Sequence, residues 1–404
     1  MTETASNTDT REPLRLFFSV GDISADLHTA NLIREIRNLR PDAVLEGLGG
    51  PKMAEAGCDI RYPLTTMNVM WFNHAIRHLR TAVRTQRETL EHFEAHRPDA
   101  VVLVDFSGYN LRLARLLRKR SIPVVYYICP QLWASRRGRI RTMRRCVTKA
   151  LCIWPFEAPI YRDAGVAYEV VGHPLFDHLD QVTIDEDFCT SLRAETRGEL
   201  IGLLPGSRDQ EIKALLPVMA KAAGKMLDEL PDALFAISCD TPRHKELIHD
   251  ILAKYGLPVR VFLRRTFEVM KEADFCMVAS GTATLELAHY NTPMIILYRV
   301  NPAAYVIARA LMHTKQIGLV NILAGREVVP EHLLWRDNPK RVAADALDVI
   351  TNPERHAEVE RALKTLRETL DHPGASRQAA DAILRTAEAL RGQVPDDGRP
   401  SPNR

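Results

Sequence analysis

Two turns carry the residues best suited to chemistry: Leu203-Leu204-Pro205-Gly206-Ser207-Arg208 and Ala279-Ser280-Gly281-Thr282-Ala283-Thr284-Leu285-Glu286. Each follows an apolar, strand-like run and precedes a helix-like stretch. A small-residue turn at a helix N-terminus presents unpaired N–H groups where the helix dipole favours negative charge, which suits phosphate. Arg208 adds a fixed cation able to grip phosphate oxygens in a bidentate way. Glu286 adds an acceptor-only carboxylate that could take two sugar hydroxyls. The plainer alternatives are a tight strand–helix turn at Ser280–Thr282 and a capping-box carboxylate at Glu286. Two such turns in one α/β half suggest a site for a nucleoside diphosphate attached to something further.

The elements that must position these turns follow from the patterning. Arg15–Val20, Val44–Gly47, Ala100–Val104, Val124–Ile128, Lys149–Ile153 and Tyr168–Val171 read as strands. Helical periodicity over Leu27–Leu39, Thr81–His96 and Leu111–Arg120 alternates with them, as in βαβ units around a parallel sheet. The rhythm breaks after Gly172-His173-Pro174, and the acidic stretch up to Gly198 reads as an interdomain crossing. A second alternation runs through Leu200–Leu204, Leu234–Ser238, Val259–Phe262, Phe275–Val278 and Met294–Leu297. From Pro339 the chain is helical. The expected fold is α/β: two Rossmann-like domains, 14–178 and 199–375, facing a cleft at the carboxyl ends of their strands. A C-terminal helix, 376–391, follows, and 1–13 and 392–404 are expected to be disordered.

Composition narrows the classes. With 404 residues and 46% hydrophobic content the chain can fill two cores. A net charge of +3, from 54 Lys and Arg against 51 Asp and Glu, does not mark a nucleic-acid binder. The arginines cluster at 136, 137, 139, 141, 144 and 145 and again at 77, 80, 84 and 87. Each cluster alone reads as a solvated helix face; together they could attract an anionic membrane or a phosphorylated ligand. The seven cysteines show no metal-like spacing, and several sit in apolar runs, as reduced core thiols do. The polar N-terminus lacks the apolar stretch of a signal peptide, and no apolar run approaches the ~18 residues of a membrane span. A cytoplasmic protein is expected.

The motifs then converge on a family. Leu-Leu-Pro-Gly-Ser-Arg (203–208), Ala-Ser-Gly-Thr-Ala-Thr-Leu-Glu (279–286), Tyr298-Arg299 and Asn321-Ile322-Leu323-Ala324-Gly325-Arg326-Glu327 resemble lipid-A-disaccharide synthase. So do Gly49-Gly50-Pro51-Lys52-Met53, Cys129-Pro130-Gln131-Leu132-Trp133-Ala134, Pro155-Phe156-Glu157 and Val171-Gly172-His173-Pro174, in co-linear order over 14 to 375. The resemblance implies the glycosyltransferase-B fold and an inverting transfer of a 2,3-diacylglucosamine from UDP to 2,3-diacylglucosamine 1-phosphate. Gly206, Ser207 and Arg208 would then meet the UDP diphosphate, with Ser280, Gly281 and Thr282 as backbone donors. Glu286 would hold the ribose, and Asn321 would line the nucleotide pocket. The partners implied are the two acylated sugars and the cytoplasmic surface of the inner membrane, with a homodimer left open. The apolar segment with Met67, Met70, Trp71 and Phe72 would face acyl chains, the alternative being a core helix. No Asp-x-Asp stands at a strand end, so neither metal nor cofactor is expected.

The first half departs from the family where chemistry is expected. Gly21-Asp22-Ile23-Ser24-Ala25-Asp26 stands for Gly-Glu-x-Ser-Gly-Asp, and Asp105-Phe106-Ser107-Gly108-Tyr109-Asn110 for Asp-x-Pro-Asp-Phe-Asn. The family's candidate base aligns with Gly108, which cannot accept a proton. Asp105 is the first alternative and Asp22 the second, with Asp26, His28 and His173 further candidates. Loop-bonding and helix-capping roles compete for the aspartates, and an ordinary helix or hinge role for the histidines. A changed acceptor, or a catalytically inactive UDP-sugar or lipid-binding protein, are the rival readings.

Overall fold

The computed structural model describes residues 12–65, 75–132, 137–300, 316–370 and 374–391. Its chain forms two compact units, Met1–His178 with His372–Arg404 and Leu179–Asp371.

The first unit holds a sheet of β1 (Arg15–Val20), β2 (Val44–Leu48), β3 (Asp59–Tyr62), β4 (Ala100–Val104), β5 (Val124–Tyr127), β6 (Lys149–Cys152) and β7 (Tyr168–Val170). The order is β3-β2-β1-β4-β5-β6-β7, and every pair is parallel. Aliphatic and β-branched runs form the middle: Ala-Val-Val-Leu-Val of β4 is buried at all positions, as a strand covered on both faces must be. The second unit repeats the plan with β8 (Leu200–Leu204), β9 (Leu234–Cys239), β10 (Val259–Leu263), β11 (Phe275–Ala279), β12 (Met294–Arg299) and β13 (Glu331–Leu334). Its order is β10-β9-β8-β11-β12-β13, again all parallel.

In both sheets the strand order reverses beside the first strand, between β1 and β4 and between β8 and β11. Loops leaving the carboxyl ends of such a pair diverge to opposite faces and open a crevice. Gly21-Asp22 leaves β1, Asp105-Phe106 leaves β4, Pro205–Arg208 leaves β8, and Ser280–Thr282 leaves β11. All four turns singled out in the sequence therefore sit at a switch point.

The two strands with no sequence expectation, β3 and β13, are both sheet edges. Asp-Ile-Arg-Tyr alternates over only four positions and Glu-His-Leu-Leu does not alternate at all, so neither gives a clear period-two signal. The last helix, Ala375–Arg391, packs on the first, Ile23–Leu39, through an alanine-rich face that permits close approach. Arg377–Glu35 (3.2 Å), Arg385–Glu169 (2.8 Å), Arg391–Asp99 (3.3 Å) and Arg40–Glu388 fasten it. The Asp177 carboxylate caps its start, accepting from the N–H groups of Gly374 (2.7 Å), Ala375 (3.1 Å) and Ser376 (2.6 Å). That helix thus belongs to the first unit although it follows the second in sequence. All seven cysteines are free. No helix among the described residues is long and apolar enough to cross a membrane.

Candidate active site

In the first unit, Asp105 follows β4 with its backbone in the left-handed region (φ 45°), as does Phe106 after it (φ 42°). The Phe106 ring lies over Gly21: a Cβ there would stand 2.2 Å from Phe106 Cδ1, so only glycine fits beneath it. This contact joins the β1 and β4 loops and brings Asp22 beside Asp105. Asp22 precedes the helix Ile23–Leu39, yet its side chain does not cap it. Burial and the Asp22 charge push the Asp105 carboxyl up to about 6, while the Phe106 N–H and the Arg139 guanidinium pull the other way. Arg139 is anchored by donating to Ser107 Oγ (2.7 Å). A carboxylate poised near neutrality at a sheet's carboxyl edge can accept a proton from a hydroxyl as that oxygen forms a new bond.

The other proton acceptors considered have structural work. Asp26 is buried and accepts from the N–H groups of Gly50 (3.1 Å), Lys52 (3.0 Å) and Met53 (3.2 Å), capping the helix Pro51–Glu55. His28 and His173 are buried edge to face, 5.8 Å apart. Burial holds both imidazoles neutral, pushing His28 down to about 4. His173 packs against Trp154 and takes the Leu175 N–H on Nδ1 (3.0 Å).

In the second unit, Gly206 has φ +107°. The turn it makes is already filled by an anion of the protein's own. Glu211 Oε2 accepts from Ser207 N (3.2 Å) and Arg208 N (3.3 Å), and its Oε1 takes Arg208 Nη1 (2.9 Å). The Ser207 and Arg208 N–H groups are therefore committed, and the exposed Arg208 guanidinium is the part of this turn that reaches outward. In the other turn, the Ser280 N–H belongs to the sheet, donating to Leu297 O (2.9 Å), which corrects its expected role as a backbone donor. Gly281 and Thr282 keep N–H groups without a backbone acceptor among the described residues, none of which fills the space beside Gly281. Glu286 does not reach back to cap its helix, Ala283–Tyr290. Its half-buried carboxylate has no hydrogen-bond donor among the described residues, and burial with the Asp240 charge pushes it up to about 7.

Asn321 differs from expectation. It is fully buried, with Nδ2 on Val329 O (2.8 Å) and Glu331 Oε2 (3.1 Å) and Oδ1 taking the Val328 (2.7 Å) and Val329 (3.1 Å) N–H groups. Both polar atoms of its amide are spent on bracing the 317–331 loop. Met67, Met70, Trp71 and Phe72 lie outside the described residues. No cluster of His, Cys, Asp and Glu suited to a metal ion occurs among the described residues.

The family model described as lipid-A-disaccharide synthetase matches residues 16–385. The chain belongs to this family. A lipid-A-disaccharide synthase from Syntrophus aciditrophicus is 37% identical over 365 residues, covering 90% of this chain and 95% of that one. One from Geobacter sulfurreducens is 34% identical over 380 residues, covering 94% and 98%. Among solved structures, the S. aureus MnaA–UDP complex superposes with a TM-score of 0.64 at 13% identity, over 96% of this chain and 99% of that one. The UDP-GlcNAc 2-epimerase of Neisseria meningitidis bound to UDP-GlcNAc gives 0.58 at 13% identity, over 93% and 100%. The fold is glycosyltransferase-B.

Against the family pattern, Gly108 lies in the first turn of the helix Ser107–Arg118, exposed, with nothing within 4 Å of a Cβ built there. Its backbone is not left-handed. Sequence reasoning passed over Asn110, Tyr126 and Arg139, which surround Asp105. Asn110 closes the 105–110 motif itself, whereas nothing local marks Tyr126 and Arg139, whose bonds to this loop span 21 and 32 residues. Glu211 was legible: a carboxylate three residues after the turn has capping-box spacing.

Proposed function

We propose that this chain is a lipid-A-disaccharide synthase, an inverting glycosyltransferase acting at the cytoplasmic face of the inner membrane. Its substrates are UDP-2,3-diacylglucosamine and 2,3-diacylglucosamine 1-phosphate. The 6-hydroxyl oxygen of the acceptor bonds to C1 of the donor sugar as the bond from C1 to the UDP β-phosphate oxygen breaks. The hydroxyl proton passes to a base, and UDP leaves with the electron pair. The observation that carries this reading is the placement of Asp105. It supplies a carboxylate near neutral pKa at the β1/β4 switch point, in a chain whose Gly108 cannot serve.

The second unit suits the departing nucleotide. The Arg208 guanidinium and the Gly281 and Thr282 N–H groups favour charge developing on the diphosphate. The Glu286 carboxylate, lacking an internal donor, suits a pair of ribose hydroxyls. Peripheral membrane association is supported by exposed cations on the first unit. A groove of about 640 Å³ runs along Arg80, Val83, Arg84, Arg87, Glu88 and Glu91 and contains none of the residues assigned to transfer. The deciding experiment is turnover of the two lipid substrates by purified protein, with disaccharide 1-phosphate and UDP measured together. UDP release only with another acceptor would replace the acceptor. Tight UDP binding without turnover of any acylated sugar would remove the enzyme reading.

A further inference from the structure

Two successive non-glycine residues in the left-handed region are costly, of order 1 kcal/mol or more each, and persist only where the surroundings over-determine them. Around Asp105 and Phe106 the surroundings are specific. Asn110 is fully buried, and its Nδ2 donates to three carbonyls, of Ser19 (3.1 Å), Val104 (3.0 Å) and Asp105 (2.9 Å). Ser19 Oγ donates to Asn110 Oδ1 (2.7 Å), which fixes the amide so that its NH₂ faces those carbonyls. From the neighbouring strand, the buried Tyr126 hydroxyl donates to the same Asp105 carbonyl (2.7 Å). The Asp105 N–H is held on Tyr127 O (3.2 Å). An asparagine and a tyrosine hydroxyl inside a sheet edge are tolerable only when satisfied, and an apolar core with an ordinary turn would ask less of the fold. These bonds instead fix the one residue whose carboxyl meets Asp22 and Arg139.

We propose that Asn110 and Tyr126 are positioning residues for proton transfer, clamping the Asp105 main-chain carbonyl and thereby aiming its carboxylate. The proposal rests on Asp105 being the base. Neither residue touches substrate; each acts through Asp105. Tyr126→Phe removes one donor and keeps the ring, so it preserves packing, and Asn110→Ala removes the other.

The test uses the purified full-length chain and follows kcat, donor KM and the pH profile of kcat, in wild-type and Asp105→Asn backgrounds. Tyr126→Phe is expected to lower kcat about tenfold, the worth of one well-placed hydrogen bond, with donor KM unchanged. The acid-side midpoint should fall from near 6, because a released Asp105 turns away from Asp22 toward water. Asn110→Ala should act in the same direction and more strongly. In the Asp105→Asn background, Tyr126→Phe should cost no further kcat. Wild-type kcat and midpoint in Tyr126→Phe, beside a disabled Asp105→Asn, would overturn the clamp alone. An equal kcat loss in both backgrounds would also overturn it, marking general loosening of the fold. Full kcat in Asp105→Asn would overturn the base and the clamp with it.

Discussion

Asp105 in the first unit and Glu286 in the second are held where their charge is costly. Asp105 is pushed up to about 6 and Glu286 to about 7, each by burial first and a neighbouring aspartate second. A folded-state pKa above the unfolded value means that stability is fully present below the unfolded pKa, near 4, and is lost as pH rises through the folded one. Asp105→Asn should therefore melt higher than wild type at pH 8, with the difference closing as pH falls from 6 toward 4. Its kcat should drop 10²–10⁴-fold, the usual range for a general base, with UDP affinity unchanged. Equal melting at pH 8 would mean that the charge is not strained. Gly108→Asp meets no steric bar, so it should restore turnover to Asp105→Asn by placing a carboxylate on the first helical turn. For Arg208→Ala, isothermal calorimetry should show UDP binding weaker by about 1.5 kcal/mol, the low end for a charged hydrogen bond, since Glu211 already shares the guanidinium. Glu286→Gln should weaken UDP binding at pH 8 and flatten its decline toward pH 6, while leaving pyrophosphate binding alone. Unchanged UDP affinity in both variants would move the nucleotide elsewhere.

At the scale of elements, the contact between the β1 and β4 loops makes Gly21 a sharp probe. Gly21→Ala forces the Phe106 ring from its seat, an overpacking worth about 1–3 kcal/mol, and displaces Asp105 with it. The variant should melt lower and turn over at least tenfold more slowly, with UDP affinity intact because the β8 and β11 turns are untouched. Adding Phe106→Ala should recover the melting temperature but not the rate; an undiminished rate in Gly21→Ala would detach Phe106 from the chemistry. The elements most legible in the sequence were the central strands, whose aliphatic runs reflect burial on both faces, and the turns that leave them. What was not legible follows from long-range bonding. Ser280 and Asn321 sit in motifs that suggest ligand contact, yet the sheet takes the N–H of one and a loop takes the amide of the other. A motif fixes residue types; only the fold decides which hydrogen-bonding groups remain unspent. Asn110 shows the converse, a motif residue given no role in the sequence reading that turns out to hold the Asp105 carbonyl.

At the scale of the whole molecule, charge is segregated in a way that net charge conceals. Between Asp105 and Glu157 there is no acidic residue and there are twelve Lys and Arg, so the remainder of the chain is net acidic. Within that block the helix Ile140–Cys146 exposes Arg141, Arg144 and Arg145 without ion-pair partners among the described residues. By contrast, Arg84 and Arg87 on the helix Ala75–Ala95 are each matched by a glutamate one turn on, at 2.7 Å and 2.8 Å, which blunts their pull on an anionic surface. Electrostatic attraction to a membrane should thus come chiefly from the 140–146 helix and less from the 77–87 cluster. Purified protein should sediment with anionic liposomes at low salt and be released as ionic strength rises, because exposed charges are screened beyond ~10 Å at 0.1 M. Changing Arg141, Arg144 and Arg145 together to Gln should remove about 3 kcal/mol, roughly a hundredfold in partitioning, at about 1 kcal/mol per cation. The same three changes in Arg80, Arg84 and Arg87 should remove less, since two of those charges are already neutralised. Any binding that survives high salt is then assigned to apolar contact, and Trp71→Ser with Phe72→Ser should reduce that part alone. Equal losses from the two arginine triplets would show that the helical ion pairs open at the membrane, and no sedimentation at low salt would remove the membrane surface as a partner.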